Sequence, residues 1–388
     1  MNFRLSVLLL ALVTSLSGCA GITRNLNPMN WFGSSSTVEK PAPLVDFKPG
    51  VTVKTGWQAS VGASQNIAFA PAIVLDAIYS ASAKGQLVKL NPATGKVEWQ
   101  TTVGTALSAG VGASIDSEYV GTPKGEVIAF DDNGKKRWAT QLSSEVLGVP
   151  KAAEGIVVVR TEDGRIYGLS ADDGKQKWMY QRVLPALILR SQASLLITKG
   201  AIFAGYPGGK LIALSLDTGN VGWEVNVAQP RGASEIERVS DVTSMPVIDD
   251  QRICAVAYQG RVACFEIRTG TLIWAKDISS TAGLTMDNNN LYISDDKGAV
   301  VALDKTTGAS VWRQDQLRAR RLTAPRRVGD YLAVGDLEGY VHVLSLDDGH
   351  FVGRAATDGS AIISQPQERN DNLIVQTAKG GVYTLTVR

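Results

Sequence analysis

Side chains able to act as acid, base, nucleophile or metal ligand are few in this chain and do not converge. Of 388 residues, two are histidine, His342 and His350, and three are cysteine, Cys19, Cys254 and Cys264. His342 lies in the alternating segment Tyr340-Val341-His342-Val343-Leu344, which reads as an ordinary strand, and no second His or Cys stands near it to complete a metal set. No Gly-x-Ser-x-Gly elbow or phosphate-binding loop occurs between a strand and a helix. The carboxylates of Asp163-Gly164, Asp173-Gly174 and Asp348-Gly349 belong to turn chemistry. With no convergent acid, base or nucleophile set, the expectation is a protein that is not an enzyme, with no catalytic, cofactor-binding or metal residues and no cofactor. Cys254 and Cys264 flank Gly260 in a hairpin. A two-residue turn at Gln259-Gly260 sets Cys254 opposite Phe265, with the sulfurs on opposite sheet faces; a three-residue turn or a bulge would let them pair, and the sequence leaves both registers open.

The elements that carry these residues are written as a repeat. Six segments place a turn Gly four residues before a Trp: Gly95 and Trp99, Gly134 and Trp138, Gly174 and Trp178, Gly219 and Trp223, Gly270 and Trp274, Gly308 and Trp312. A seventh keeps the turn at Asp347-Asp348-Gly349 but has Gly353 in place of Trp. Ahead of each Trp comes a Gly-x-apolar-x-x-Leu/Phe segment, starting at Gly85, Gly125, Gly164, Gly209, Gly260, Gly298, Gly339 and Gly380, at intervals of 40, 39, 45, 51, 38, 41 and 41 residues. A period near 40 with short β-rich runs marks propeller blades, each a four-stranded antiparallel sheet unable to bury its faces alone. Within the first unit, Ala77 to Ala83 and Gln86 to Leu90 read as strands joined at Lys84-Gly85. The eighth unit ends at Arg388 without an outer strand, and Lys54-Thr55-Gly56-Trp57 supplies it, so the fold expected is an all-β, eight-bladed propeller closed by an N-terminal strand. Trp57, Trp99, Trp138, Trp178, Trp223, Trp274 and Trp312 are expected to be structural, each packing between neighbouring blades with its N–H on a carbonyl.

The chain opens with Arg4, an apolar run from Val7 to Val13 and then Leu16-Ser17-Gly18-Cys19. This is a secretory signal, and its end resembles the bacterial lipoprotein box. The resemblance implies that residues 1–18 are removed, that Cys19 is acylated, and that Ala20 and Gly21 direct the protein to the periplasmic face of the outer membrane. Residues 19–45, with Gly33-Ser34-Ser35-Ser36, Pro41 and Pro43, read as a flexible tether, and 46–388 as the propeller. Lys plus Arg number 39 against 37 Asp plus Glu, which gives no electrostatic case for nucleic acid. The cluster Arg318, Arg320, Arg321, Arg326 and Arg327 reads as a solvated loop.

Departures from the repeat mark its working surface. From each Trp to the next blade's Gly the count is 28, 26, 26, 31, 37, 24 and 27, so two consecutive connections carry the excess, and they should sit side by side on the face of the Gly-bearing hairpins. The first contains Leu187-Ile188-Leu189-Arg190 and the second runs from Arg231 to Asp241. The blade repeat is similar to that of quinoprotein dehydrogenases, which would imply an oxidoreductase using pyrroloquinoline quinone and calcium; the adjacent cysteines common there are missing here. A carbohydrate- or peptidoglycan-binding propeller is a third reading. A lipoprotein signal followed by this propeller alone more fully resembles the BamB family of outer-membrane β-barrel assembly lipoproteins. That resemblance implies a non-enzymatic scaffold, monomeric within its complex, that docks on the POTRA domains of BamA alongside the rest of the Bam complex. In that family a Leu-x-Leu-Arg stretch and an acidic Asp-x-Asp stretch make the contact, which carries onto Leu187, Leu189, Arg190 and Asp241; Thr243 departs from the second acidic position. Direct contact with unfolded outer-membrane proteins through a blade edge stays open.

Overall fold

The computed structural model describes residues 39–388. Their regular elements are strands, gathered into eight four-stranded antiparallel sheets. Blade 1 runs from Ala72–Val74 to Val97–Thr102, blade 2 from Ala109–Ala113 to Lys136–Gln141, blade 3 from Lys151–Ala153 to Gln176–Tyr180 and blade 4 from Leu196–Thr198 to Val221–Asn226. Blade 5 spans Val247–Ile248 to Leu272–Lys276, blade 6 Gly283–Met286 to Ser310–Gln314, and blade 7 Arg326–Val328 to Phe351–Ala356. Blade 8 takes Gln367–Arg369, Asn372–Gln376 and Gly381–Val387 from the C-terminal end and Val53–Ser60 from the N-terminal side, as the repeat count expects. An apolar cluster fills each seam between consecutive blades. The last joins blade 8 to blade 1 through Ile374, Val382, Ile78 and Val88, so the ring is closed by packing as well as by strand pairing.

The Trp repeat builds these seams. Each indole N–H donates to a carbonyl in the next blade's turn: Trp57 to Pro92, Trp99 to Asp132, Trp138 to Ala171, Trp178 to Leu216, Trp223 to Ile267, Trp274 to Lys305 and Trp312 to Leu346, at 2.7–3.1 Å. The ring lies against the turn glycine of that same blade, so closely that a Cβ on Gly174 would stand 2.5 Å from Trp138 and one on Gly219 2.5 Å from Trp178. A bulge in the outer strand just before each Trp turns the indole to this side, as where Gly168 faces Trp178 but Leu169 faces Gln176. Trp138, Trp178, Trp274 and Trp312 are buried, whereas Trp57, Trp99 and Trp223 are half-buried, so full burial does not extend to all seven.

Gly353 has its reason in the closure. The blade after it is the split one, whose outer turn is replaced by the two chain ends, bonded Thr52 N–H to Arg388 O and Arg388 N–H to Thr52 O. No turn glycine is there to receive an indole. The incoming chain lies over Gly353 instead, where a Cβ would come within 2.7 Å of Val53 and 2.9 Å of Val51.

Two expectations about local register change. The hairpin of blade 1 pairs Ala81 with Leu87 and leaves three loop residues, Ala83, Lys84 and Gly85, with Gly85 at φ +89°. It is therefore a three-residue loop, and the strand ends at Ala81. Blade 5 likewise pairs Val256 with Val262 around Tyr258, Gln259 and Gly260, which puts Cys254 opposite Cys264, and the two are joined in a disulfide. The two-residue alternative is thereby excluded.

The arginine cluster is not a solvated loop throughout. Arg320 is fully buried, donating to Asp336 at 2.7 Å, Glu338 at 2.5 Å and the Ala42 carbonyl at 2.7 Å. His342 is buried beside it, with Nε2 2.9 Å from Asp336 and Nδ1 accepting from Arg354 at 3.2 Å. An acceptor role at Nδ1 places the proton on Nε2 and leaves the ring neutral, in line with burial lowering its pKa. Arg354 also donates to the Val45 carbonyl and stacks over Phe47. Residues 41–47 are thus held on blade 7, within the compact unit Pro41–Arg388.

Candidate docking surface

The first long connection leaves blade 3 after Tyr180 and forms no strand before Leu196, so the Leu187 stretch is a loop and not the innermost strand of blade 4. Its base is apolar. Leu184 turns inward onto Gly164 and the seam between blades 3 and 4. On either side of it the chain faces outward, leaving Val183 89% and Leu187 43% exposed, with Ile188 and Leu189 half-buried. Arg190 ends the stretch with 63% of its side chain exposed. Its guanidinium donates to Glu145 at 2.6 Å and approaches Glu162 at 4.0 Å, so two carboxylates from the neighbouring connection and hairpin fix where it points.

The second connection holds the first in place. Asp241 is 2% exposed, and its carboxylate accepts the Leu189 N–H at 2.7 Å and the Gly208 N–H at 2.9 Å. Ser191 donates to the Thr243 carbonyl at 2.9 Å. Beneath them Val242 packs over Gly205, whose carbonyl accepts from Arg160, and Arg160 lies over the Tyr206 ring at 4.5 Å. The sequence expects Leu187, Leu189 and Arg190 on the exposed face with Asp241 nearby on the adjoining loop; Leu187 and Arg190 are exposed and Leu189 is half-buried, while Asp241 lies beside them but buried. A short aspartate that accepts two backbone N–H groups is a loop clamp, and its charge is spent inside the protein. Thr243, the departure from the acidic pattern, donates to the Thr281 carbonyl. Further out, Glu237 accepts the N–H groups of Ala233 and Ser234, shaping a turn that leaves Ile236 70% exposed.

Leu187, Leu189, Arg190 and Asp241 are therefore gathered on two adjoining loops, as the insertions suggest. Glu145 and Glu162 were missed. Both lie outside the two insertions, and nothing in their local sequence marks a pairing with Arg190. Among the described residues no group of His, Cys, Asp and Glu has the arrangement of a metal site. Cys19 and residues 1–18 lie outside the described residues.

A family profile described as outer membrane protein assembly factor BamB matches residues 52–109, 83–314 and 296–388. The chain belongs to the BamB family. A BamB relative from Nitrosomonas eutropha is 43% identical over 389 residues, covering 99% of this chain and 95% of its own. The crystal structure of BamB from Moraxella catarrhalis superposes with a TM-score of 0.80 at 30% identity, over 86% of this chain and 99% of that one. Quinohemoprotein alcohol dehydrogenase from Comamonas testosteroni superposes at 0.71 with 14% identity over 86% of this chain and 76% of its own, a likeness of fold alone. BamB relatives are named as assembly factors, and membership among them sets aside the oxidoreductase and carbohydrate-binding readings.

Proposed function

We propose that the chain is a non-enzymatic scaffold of the outer-membrane β-barrel assembly machinery, anchored to the periplasmic face of the outer membrane through acylated Cys19 and docked on the POTRA domains of BamA. The observation that carries the docking surface is the pairing of exposed Val183 and Leu187 with Arg190 on a loop held from both sides. Exposed apolar side chains beside an oriented arginine are the usual anchors of a protein contact. Preorganisation by Asp241 and Glu145 lowers the ordering cost of binding. Leu187 and Arg190 make the contact in this reading, Leu189 supports it from below, and Asp241 acts through the loop. Residues 19–40 are the tether, and the rigid ring serves to hold the partner's periplasmic domains in one arrangement.

The test is binding of purified BamA periplasmic domains to a Leu187→Ala, Leu189→Ala, Arg190→Ala variant. Hot-spot truncation typically costs about 2 kcal/mol or more, so the affinity should fall at least about thirtyfold while the melting curve is retained. Unchanged affinity in a folded variant would remove this surface from the contact.

A further inference from the structure

The innermost strands of the eight blades line the central channel, and their register defines one level around it. Lys151 of blade 3 pairs with Val158, and Arg326 of blade 7 pairs with Ala333, at the same ladder position. The other blades place Ala72, Gly112, Leu196, Val247, Thr285 and Gln367 there. Blades 3 and 7 stand four apart in a ring of eight, so the two residues lie on opposite sides of the axis, and no carboxylate shares their level. Burial lowers the pKa of Lys151, and the Arg326 charge lowers it further, so each side chain lies within the other's field.

Neither charge is neutralised by its contacts. Lys151 is half-buried, and its side chain makes no hydrogen bond or ion pair among the described residues. Arg326 donates only to neutral acceptors, the Pro366 carbonyl at 2.9 Å and the Gln365 and Gln367 side-chain oxygens at 3.3 and 3.4 Å. Glu368, the carboxylate whose charge reaches Arg326, sits one residue further along its strand and accepts the Asp371 N–H at 2.9 Å. Two like charges held in one passage without a counterion raise the energy of the fold, and charges removed from water are ordinarily paired.

We propose that the central channel binds a divalent oxyanion, a phosphate group or a dicarboxylate, between Lys151 and Arg326. A guanidinium offers a planar fork to two oxygens and an ammonium a point charge, so together they complement an anion with oxygens on both sides. A dianion cancels both charges at once. The anion site does not rest on the proposed partner.

The experiment titrates the full chain, purified in detergent, with inorganic phosphate and separately with succinate by calorimetry, at ionic strength held constant with potassium chloride. Saturable binding of one of the two at one site per chain is the expected result, phosphate or succinate telling which oxyanion is preferred. Lys151→Met should weaken it by about tenfold or more, the equivalent of one lost charge-assisted hydrogen bond. Lys151→Arg should stay within a few-fold of the unaltered chain, and a melting curve for each variant checks that it is folded. No saturable binding of either anion, or equal binding by a folded Lys151→Met variant, overturns the proposal.

Discussion

Removing Trp178 tests the blade seam most directly, because its partner glycine supplies a second handle on the same contact. The indole is buried, donates to the Leu216 carbonyl at 2.8 Å and covers Gly219. A buried indole withdraws about 150–250 Å² from water, worth about 4–6 kcal/mol at 25 cal/mol per Å², and observed Trp→Ala costs in cores run at about 3–5 kcal/mol. Trp178→Ala should therefore cost about 4 kcal/mol. Gly219→Ala suffers twice: its φ of +70° is left-handed, at about 1–2 kcal/mol for a residue with a Cβ, and the new methyl would lie 2.5 Å from the indole, at about 1–3 kcal/mol more. In the Trp178→Ala background the clash is gone and only the left-handed term remains. The double variant should thus be more stable than the sum of the singles by about 1–3 kcal/mol. Urea unfolding followed by far-UV circular dichroism measures all four corners of the cycle. Additivity within about 0.5 kcal/mol would show that the indole and the glycine do not touch, and the account of the repeat would fail.

Glu118 is fully buried with neither carboxylate oxygen hydrogen-bonded, facing Tyr79, Lys89 and Asp132, and burial pushes its pKa up to about 8. The folded state then holds a proton that the unfolded chain releases near pH 4.5, so stability present at pH 5 is lost as pH rises through 8; Glu118→Gln should match the unaltered chain at pH 5 and exceed it by about 2–4 kcal/mol at pH 9, with equal denaturation midpoints at pH 9 as the refuting result. Arg320→Ala leaves the buried Asp336 without its guanidinium and should cost about 3–5 kcal/mol, while freeing residues 41–47 to a protease that leaves them intact in the unaltered chain. Asp241→Ala should weaken BamA binding although its side chain does not reach the surface, and hydrogen exchange at the Leu189 N–H should rise with it; lost binding with an unchanged exchange rate would mean that the carboxylate itself meets the partner.

Ring closure and seam chemistry were legible because they repeat. Six glycine–tryptophan pairs at one spacing, with Trp57 and Gly349 as unmatched members, state a repeat that no single copy would, and the missing Trp at Gly353 falls next to the one blade assembled from two separate parts of the chain. Glu118 was equally available to such a comparison. Its ladder position holds Ile78, Val157, Ile202, Ile253, Leu291, Leu332 and Leu373 in the other blades, so a carboxylate there breaks the repeat from inside rather than by insertion. The hairpin of blade 1 was read one residue short, and in blade 5, where both registers stayed open, that one residue decides, because side chains alternate, whether Cys254 meets Cys264 or Phe265.

What the sequence withheld is the burial of charge. Arg320 stands among five arginines within ten residues, a pattern that ordinarily faces water, and only the fold brings Asp336, Glu338 and the Ala42 carbonyl around it. Asp241 is the same case on the docking surface. An aspartate in an exposed loop and an aspartate accepting two backbone N–H groups look identical in sequence, since its partners, Leu189 and Gly208, come from elsewhere in the chain. The distinction changes what an acidic position there can mean. A carboxylate pointing outward recognises a partner's cation, so its loss alters which partner binds and how binding depends on salt. A carboxylate pointing inward sets the shape of Leu187 and Arg190, so its loss lowers affinity through disorder and leaves the salt dependence with Arg190.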